Sequence, residues 1–124
     1  MQDQLLDGCR IVVVEDEYLI ANDIANALEE AGATVLGPVP SAEAAASLIA
    51  DEPRIDGALL DINLGGSMVF DIADTLVSRA IPFAFVTGYD RWAIPERFAD
   101  APRLEKPVKP KQVAQALGPI LSAG

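Results

Sequence analysis

A strict alternation of strand-like and helix-like segments is the feature that most limits what this chain can fold into. The first strand-like run, Ile11-Val12-Val13-Val14, is continuously β-branched, which is typical of a strand buried on both faces of a sheet. Four more short strand-like segments follow, at 34–36, 58–60, 83–86 and 104–105. Strands that alternate with helices favour a parallel sheet with helices on both of its faces.

Between these runs, apolar residues recur at the three- and four-residue spacing of amphipathic helices. The first stripe runs from Ile20 to Ala31 and meets a helix stop at Gly32. Ser41 is expected to cap the second helix and Pro53 to mark its end. The stripe of the third helix consists of Val69, Ile72, Ala73, Leu76, Val77 and Ala80.

Four segments interrupt this regular pattern. We expect the second strand to close at Gly37-Pro38, and residues 63–67 to form a glycine-rich loop. Pro95 allows a helix to begin after the fourth strand but not to run through that position. The last helix is expected to begin at Pro110, and Gly118-Pro119 to kink it or end it early.

Length and composition point to one α/β domain over 1–124, with a core at about 9–121. The architecture we expect is a doubly wound, five-stranded parallel sheet of flavodoxin-like order, 2-1-3-4-5. Nine basic against 19 acidic residues give a net charge of −10, which argues against direct nucleic-acid binding. The single cysteine, Cys9, excludes an internal disulfide, and no signal peptide or membrane-length apolar run is present. We therefore expect a cytoplasmic protein without membrane insertion.

Polar residues follow the strand-like runs at the points where the strands should end. Glu15 and Asp16 follow the first run, Asp61 ends the third, Thr87 ends the fourth, and Lys106 ends the fifth. The carboxyl ends of parallel strands meet at one edge of a doubly wound sheet, where ligands bind at the reversal of strand order. Three carboxylates, a hydroxyl and an ammonium are thus expected to converge there.

The residue types at this edge favour Mg²⁺-dependent phosphoryl chemistry. Clustered carboxylates resist full ionisation without a cation, and several oxygen ligands suit Mg²⁺. A carboxylate such as that of Asp61 is a competent nucleophile towards phosphorus. The Lys106 ammonium and the Thr87 hydroxyl are suited to pairing with phosphoryl oxygens.

These five positions, spread over about the whole chain, resemble the response-regulator receiver domains of two-component systems. The resemblance implies that Asp61 is the phosphoacceptor, Thr87 the switch hydroxyl and Lys106 the phosphate-sensing lysine. It also implies that Mg²⁺ is held by Glu15, Asp16, Asp61 and the backbone carbonyl of Asn63. The implied donor is a histidine kinase or a histidine phosphotransfer protein, and the implied output is contact with a further protein or onward phosphotransfer in a phosphorelay.

The stretch from Pro82 to Tyr89 is similar to a receiver subgroup, common in alphaproteobacteria, with a Phe-Ala-Thr-Gly-aromatic signature, although Val86 replaces the usual alanine. Members of that subgroup are often stand-alone receivers. Arg103 occupies the position where receivers usually carry a switching aromatic residue. Tyr89 is a candidate replacement, or else a partly buried anchor, since Gly88 frees the adjacent backbone.

Two further features leave alternatives open. Asn63, two residues after Asp61, either tunes the rate of phosphoryl loss or only serves the turn. The resemblance makes Lys106-Pro107 a candidate cis peptide.

Three other functions were weighed against phosphoryl acceptance. A pseudo-receiver would bind partners without phosphotransfer, but all five site residues are retained. A phosphohydrolase with an aspartate nucleophile usually carries a general acid where this chain has Asn63. Flavin binding is disfavoured because no phosphate-binding loop follows the first strand, and Glu15-Asp16-Glu17 would repel a phosphate group unless a metal intervened. We expect no enzymatic activity beyond the chain's own phosphorylation and dephosphorylation.

Overall fold

The computed structural model describes residues 6–64, 67–88, 94–106 and 108–123. These residues form seven strands, four helices and one 3₁₀ turn. In chain order the elements are β1 (Arg10–Val14), α1 (Tyr18–Glu30), β2 (Thr34–Val39), α2 (Ala42–Asp51), β3 (Gly57–Asp61), β4 (Asn63–Leu64), β5 (Ser67–Met68), α3 (Phe70–Ser78), β6 (Phe83–Thr87), the 3₁₀ turn (Glu96–Phe98), β7 (Arg103–Glu105) and α4 (Pro110–Ala123).

Five strands form the main sheet, in the order β2-β1-β3-β6-β7, and all four neighbouring pairs are parallel. Counted along the chain, these five strands have the order 2-1-3-4-5, so the predicted topology is confirmed. The order reverses between β1 and β3, which places the ends of those two strands side by side at the ligand-binding edge of the sheet.

The sheet separates two apolar cores, as the predicted helices on both faces require. Alternate residues of the buried strands point to opposite faces, so neighbours such as Val12 and Val13 enter different cores. One core packs α2 and α3 against the sheet, and the other packs α1 and α4. Leu6, which precedes the expected start of the core, is fully buried in the second one.

The first core contains a cluster of four phenylalanines. Phe85 lies at its centre, with ring centroids 5.3–5.8 Å from those of its three neighbours. The four members are Phe70, Phe83, Phe85 and Phe98. Phe98 belongs to the short 3₁₀ turn that follows Pro95, where the sequence allowed a helix to begin, and it fixes that turn against β6.

The second strand was predicted to close at Gly37-Pro38, but it continues to Val39. Gly37 has a φ of 101°, and a Cβ atom there would lie 2.8 Å from the Val39 nitrogen. The register between β1 and β2 shifts at this point, and Val14 pairs with Val39. Glycine therefore lets the strand bend and resume, where another residue would be strained.

The predicted loop from Asn63 to Ser67 is instead a small antiparallel hairpin, in which Asn63 pairs with Met68 and Leu64 with Ser67. In the sequence, two glycines at 65–66 separate these strands. Gly-Gly is among the dipeptides that connect the strands of tight hairpins, a signal that the loop prediction overlooked.

The third helical stripe was predicted too long. Val77 is 58% exposed, and the helix ends at Ser78. Ala80 takes a left-handed φ of 58°, and the Ile81 N–H donates to the Leu76 carbonyl at 2.9 Å. These features form a Schellman motif, which ends a helix and turns the chain towards the next strand.

The last helix does not end early at Gly118-Pro119 but runs on to Ala123. Pro119 removes one backbone donor within the helix, which usually destabilises it. Leu117 is fully buried in the second core, and Leu121 packs against the same core one turn later. This packing keeps the last turn in place.

Within the parts of the chain that the structure describes, every helix is too short or too polar to cross a membrane.

Candidate functional site

The structure places the five predicted site residues together at the carboxyl edge of the main sheet. Glu15 and Asp16 follow β1, Asp61 and Thr87 are the last residues of β3 and β6, and Lys106 follows β7. The carboxylate oxygens of Glu15, Asp16 and Asp61 lie within 4.8 Å of one another. The Lys106 Nζ lies 3.4 Å from Asp61 Oδ2 and 3.7 Å from Glu15 Oε2.

Backbone hydrogen bonds between strands fix these residues in position. The Glu15 N–H donates to the Val39 carbonyl at 3.0 Å, which ties the start of the site to the end of β2. The Lys106 N–H donates to the Thr87 carbonyl at 2.8 Å. The ammonium and hydroxyl groups are thus carried by neighbouring, directly bonded strand ends.

The site has a buried base and an open rim. Glu15 and Asp61 are each 3% exposed, and Thr87 is fully buried. Asp16 is exposed, and Lys106 is partly buried. Asp61 therefore sits at the bottom of a polar hollow that is open to solvent on the Asp16 side.

The acidic groups fit a divalent cation. Burial raises the pKa of Glu15 to about 8, and the hydrogen bond to Asp61 and its charge act in the same direction. Among the described residues, the buried Glu15 Oε1 has no hydrogen-bond partner. A buried oxygen without a donor, next to a second carboxylate, is what a cation would satisfy, and hard oxygen donors suit Mg²⁺.

Thr87 presents a second buried oxygen of this kind. Its Oγ1 finds no hydrogen-bond partner within the described parts of the chain. A buried hydroxyl without a partner normally costs stability. The fold alone does not explain this hydroxyl, which is available to hydrogen-bond an oxygen of a bound ligand.

Lys106 has three carboxylates around its ammonium. Its shortest contact is to Glu17 Oε1, at 2.7 Å. Partial burial by itself would lower the pKa of Lys106, but the hydrogen bond to Glu17 and the charges of Asp61, Glu15 and Glu17 together raise it above its ordinary value. Lys106 is thus firmly cationic at neutral pH.

Sequence reasoning gave Glu17 no role beyond repelling a phosphate. The only signal that could have singled it out is its place as a third consecutive acid after β1, since it is 89 residues from Lys106 in the chain.

The structure describes only some of the residues that were predicted to act as switches. Tyr89 and Pro107 lie outside the described residues, as does the side chain of Asn63, whose backbone belongs to β4. Arg103 lies in β7 and its guanidinium donates to the Ala99 carbonyl at 2.9 Å. In this structure Arg103 therefore anchors the segment before its own strand.

Comparison with known proteins identifies relatives over about nine-tenths of the chain. A scan of protein-family models finds no match. Phyllosphere-induced regulator PhyR of Methylorubrum extorquens is 31% identical over 114 residues, which are 90% of this chain and 43% of that protein. This chain spans about half the length of the curated relatives it matches.

Two solved structures match this chain over nearly their whole length. SdrG from Sphingomonas melonis Fr1 is 39% identical, with a TM-score of 0.81, and the match covers 91% of this chain and 96% of SdrG. A response regulator receiver protein from Sinorhizobium medicae is 25% identical, with a TM-score of 0.79 and coverage of 95% and 98%.

Proposed function

Since this chain belongs to the receiver domains of two-component response regulators, we propose that it accepts a phosphoryl group on Asp61 and passes the signal on through a change in its surface. The observation that carries the proposal is the position of the Asp61 carboxylate. It lies at the bottom of the site, within 4.8 Å of two further carboxylates and 3.4 Å from the Lys106 ammonium. A nucleophile, a cation site and a phosphate-binding ammonium therefore share one hollow.

Glu15, Asp16 and Asp61 would hold Mg²⁺ through their carboxylates, and Asn63 through its backbone carbonyl. Bound Mg²⁺ would neutralise the clustered carboxylates and the negative charge of the incoming phosphoryl group. The buried Glu15 Oε1, which has no partner among the described residues, supports this assignment.

In the transfer step, an Asp61 carboxylate oxygen attacks the phosphorus of a phosphohistidine. A P–O bond forms while the P–N bond breaks, and the histidine nitrogen of the donor keeps the electron pair and takes up a proton. Lys106 pairs with a phosphoryl oxygen as a point charge, and the Thr87 hydroxyl donates to another. Hydrolysis of the acyl phosphate by water later restores the Asp61 carboxylate and releases inorganic phosphate.

The partners follow from this chemistry. The donor would be a histidine kinase or a histidine phosphotransfer protein, and the output a contact with a further protein or onward transfer, in the cytoplasm. The Lys106 N–H donates a hydrogen bond to the Thr87 carbonyl at 2.8 Å. Contact of the two side chains with a phosphoryl group would therefore shift the ends of β6 and β7 together. We propose this edge as the surface that changes.

The experiment that tests the proposal is intact-mass measurement after incubation with Mg²⁺ and acetyl phosphate. We expect a single added phosphoryl group that is absent from Asp61→Asn and from a sample with EDTA. Because small donors can fail on receiver domains, beryllofluoride binding is measured in parallel. Absence of both the adduct and beryllofluoride binding would reject the proposal and leave a binding module that works without phosphorylation.

A further inference from the structure

Among the described residues, the anion nearest to the Lys106 ammonium belongs to a residue that neither the cation site nor the transfer step uses. Lys106 Nζ lies 2.7 Å from Glu17 Oε1, against 3.4 Å from Asp61 Oδ2 and 3.7 Å from Glu15 Oε2. The Glu17 side chain is 57% exposed, so it lies at the rim of the site. Lys106 thus contacts both the rim and the buried base of the site, and its shortest contact is at the rim.

The position of Glu17 in the fold does not explain this contact. Glu17 is the N-cap residue of α1, where acidic side chains commonly accept a hydrogen bond from the first turn. Its side chain makes no such capping bond. The carboxylate is directed instead to Lys106, at the other end of the chain.

A phosphoryl group on Asp61 needs the same ammonium. The incoming group is an anion, so Glu17 opposes it twice, by repelling its charge and by competing for Lys106. We infer that Glu17 is a positioning residue that holds Lys106 at the rim and weakens the binding of phosphoryl-like anions at this site. This inference rests on the proposed function of Asp61.

Glu17 should act in the opposite sense on a cation. A negative charge at the rim attracts Mg²⁺ and steers it towards the carboxylates. Removal of that charge should therefore weaken Mg²⁺ binding while it strengthens the binding of a phosphoryl-like anion. Loss of a purely structural residue would not produce two effects of opposite sign.

The test compares the full chain with Glu17→Gln. Calorimetry measures Mg²⁺ affinity alone, fluorine NMR measures beryllofluoride affinity at saturating Mg²⁺, and intact mass follows the rate of phosphorylation by acetyl phosphate. We expect beryllofluoride to bind about two- to fivefold more tightly, acetyl phosphate to react faster by a similar factor, and Mg²⁺ to bind about two- to fivefold more weakly, the range for exposed ion pairs.

Two controls distinguish the direct contact between Glu17 and Lys106 from a general effect of the protein's net charge. Glu30→Gln removes an equal, exposed charge from the other end of α1, roughly 20 Å away at 1.5 Å per residue, and should change none of the three readouts. In a Lys106→Gln background, the gain in beryllofluoride affinity from Glu17→Gln should shrink, because the competition for the ammonium is gone.

The outcomes are distinct. Unchanged or weaker beryllofluoride binding by Glu17→Gln, in a wild-type chain that binds it, overturns the role of Glu17 and leaves the proposed function standing. A change in thermal stability without a change in either affinity would show that Glu17 only supports the fold, which also overturns the inference. If neither protein binds beryllofluoride or takes up a phosphoryl group from acetyl phosphate, both proposals fail.

Discussion

At the scale of single residues, the buried carboxyl group of Glu15 makes the site sensitive to pH. Its pKa, raised to about 8 by burial and by Asp61, means that Glu15 is largely protonated at pH 7 in the metal-free protein. If Glu15 ligates Mg²⁺ as proposed, binding would require the ionised form and would release a proton. Cation binding and proton release would then be linked through this side chain.

We predict that the Mg²⁺ affinity rises between pH 6 and pH 8, by up to about tenfold per unit. Titration calorimetry in buffers of different ionisation enthalpy would measure both the affinity and the proton release. Glu15→Gln should bind Mg²⁺ more weakly and lose most of this pH dependence. A wild-type affinity that stays flat over this range would contradict the raised pKa.

The same group should destabilise the metal-free fold at high pH. Because the pKa of Glu15 in the folded state lies above the ordinary value of 4.5, its contribution to stability is fully present below pH 4.5 and is lost as pH rises through about 8. We expect Glu15→Gln, without metal, to be more stable than wild type at pH 9 by about 1–3 kcal/mol, and nearly equal at pH 4. Denaturant unfolding at the two pH values measures this difference.

Thr87 offers a second residue-scale prediction. Its buried hydroxyl has no partner in the described part of the chain, so Thr87→Val should leave the unphosphorylated fold as stable or stabilise it by up to about 1 kcal/mol. Beryllofluoride binding should nevertheless weaken. Thr75→Val, which removes an exposed hydroxyl bonded to the Asp71 carbonyl, should leave that binding unchanged. A large loss of stability in Thr87→Val would instead reveal a structural hydrogen bond.

At the scale of elements, two helices end in the same motif with different residues at its left-handed position. After α1, Gly32 has a φ of 97°, and the Ala33 N–H donates to the Leu28 carbonyl at 3.0 Å. After α3, Ala80 occupies the equivalent position with a φ of 58°. Only glycine takes this conformation without steric cost, so the end of α3 is strained where the end of α1 is not.

We predict that Ala80→Gly stabilises the protein by about 0.5–1 kcal/mol, while Gly32→Ala destabilises it by about 1 kcal/mol. Chemical denaturation gives both values, and the two changes form a matched pair at equivalent positions. Opposite signs are expected; a destabilising Ala80→Gly would mean that the methyl group contributes packing that outweighs the strain.

The same elements show what the sequence could and could not predict. The strands and the positions of Glu15, Asp61 and Lys106 at their ends followed from apolar runs, because burial on both faces leaves few other patterns. Ala80 was assigned to the helical stripe because no local signal marks an alanine that takes a left-handed conformation. The continuation of α4 past Pro119 depends on packing against residues far away in the chain, which periodicity does not encode.

At the scale of the whole molecule, a net charge of −10 and a cluster of three acids, two of them buried, would make cation binding a source of stability. Metal bound to the folded state alone should add about 2.7 kcal/mol at a concentration 100 times its Kd. We predict a rise in the thermal midpoint with Mg²⁺ that is largely lost in Asp16→Asn. Sodium chloride at matched ionic strength is the control, and an equal rise with it would indicate screening instead of site binding.

The site is built from strand ends that lie far apart in the chain, and this separation determines the stage of folding at which the site is complete. Glu15, Asp61 and Lys106 come from strand ends up to 91 positions apart, since 106 − 15 = 91. Contacts between such distant segments form late, because the loops between them must close first. A chain emerging from the ribosome would thus carry its acidic cluster without the ammonium that completes it. If Asp61 accepts a phosphoryl group as proposed, competence to do so would appear only once β7 has paired with β6.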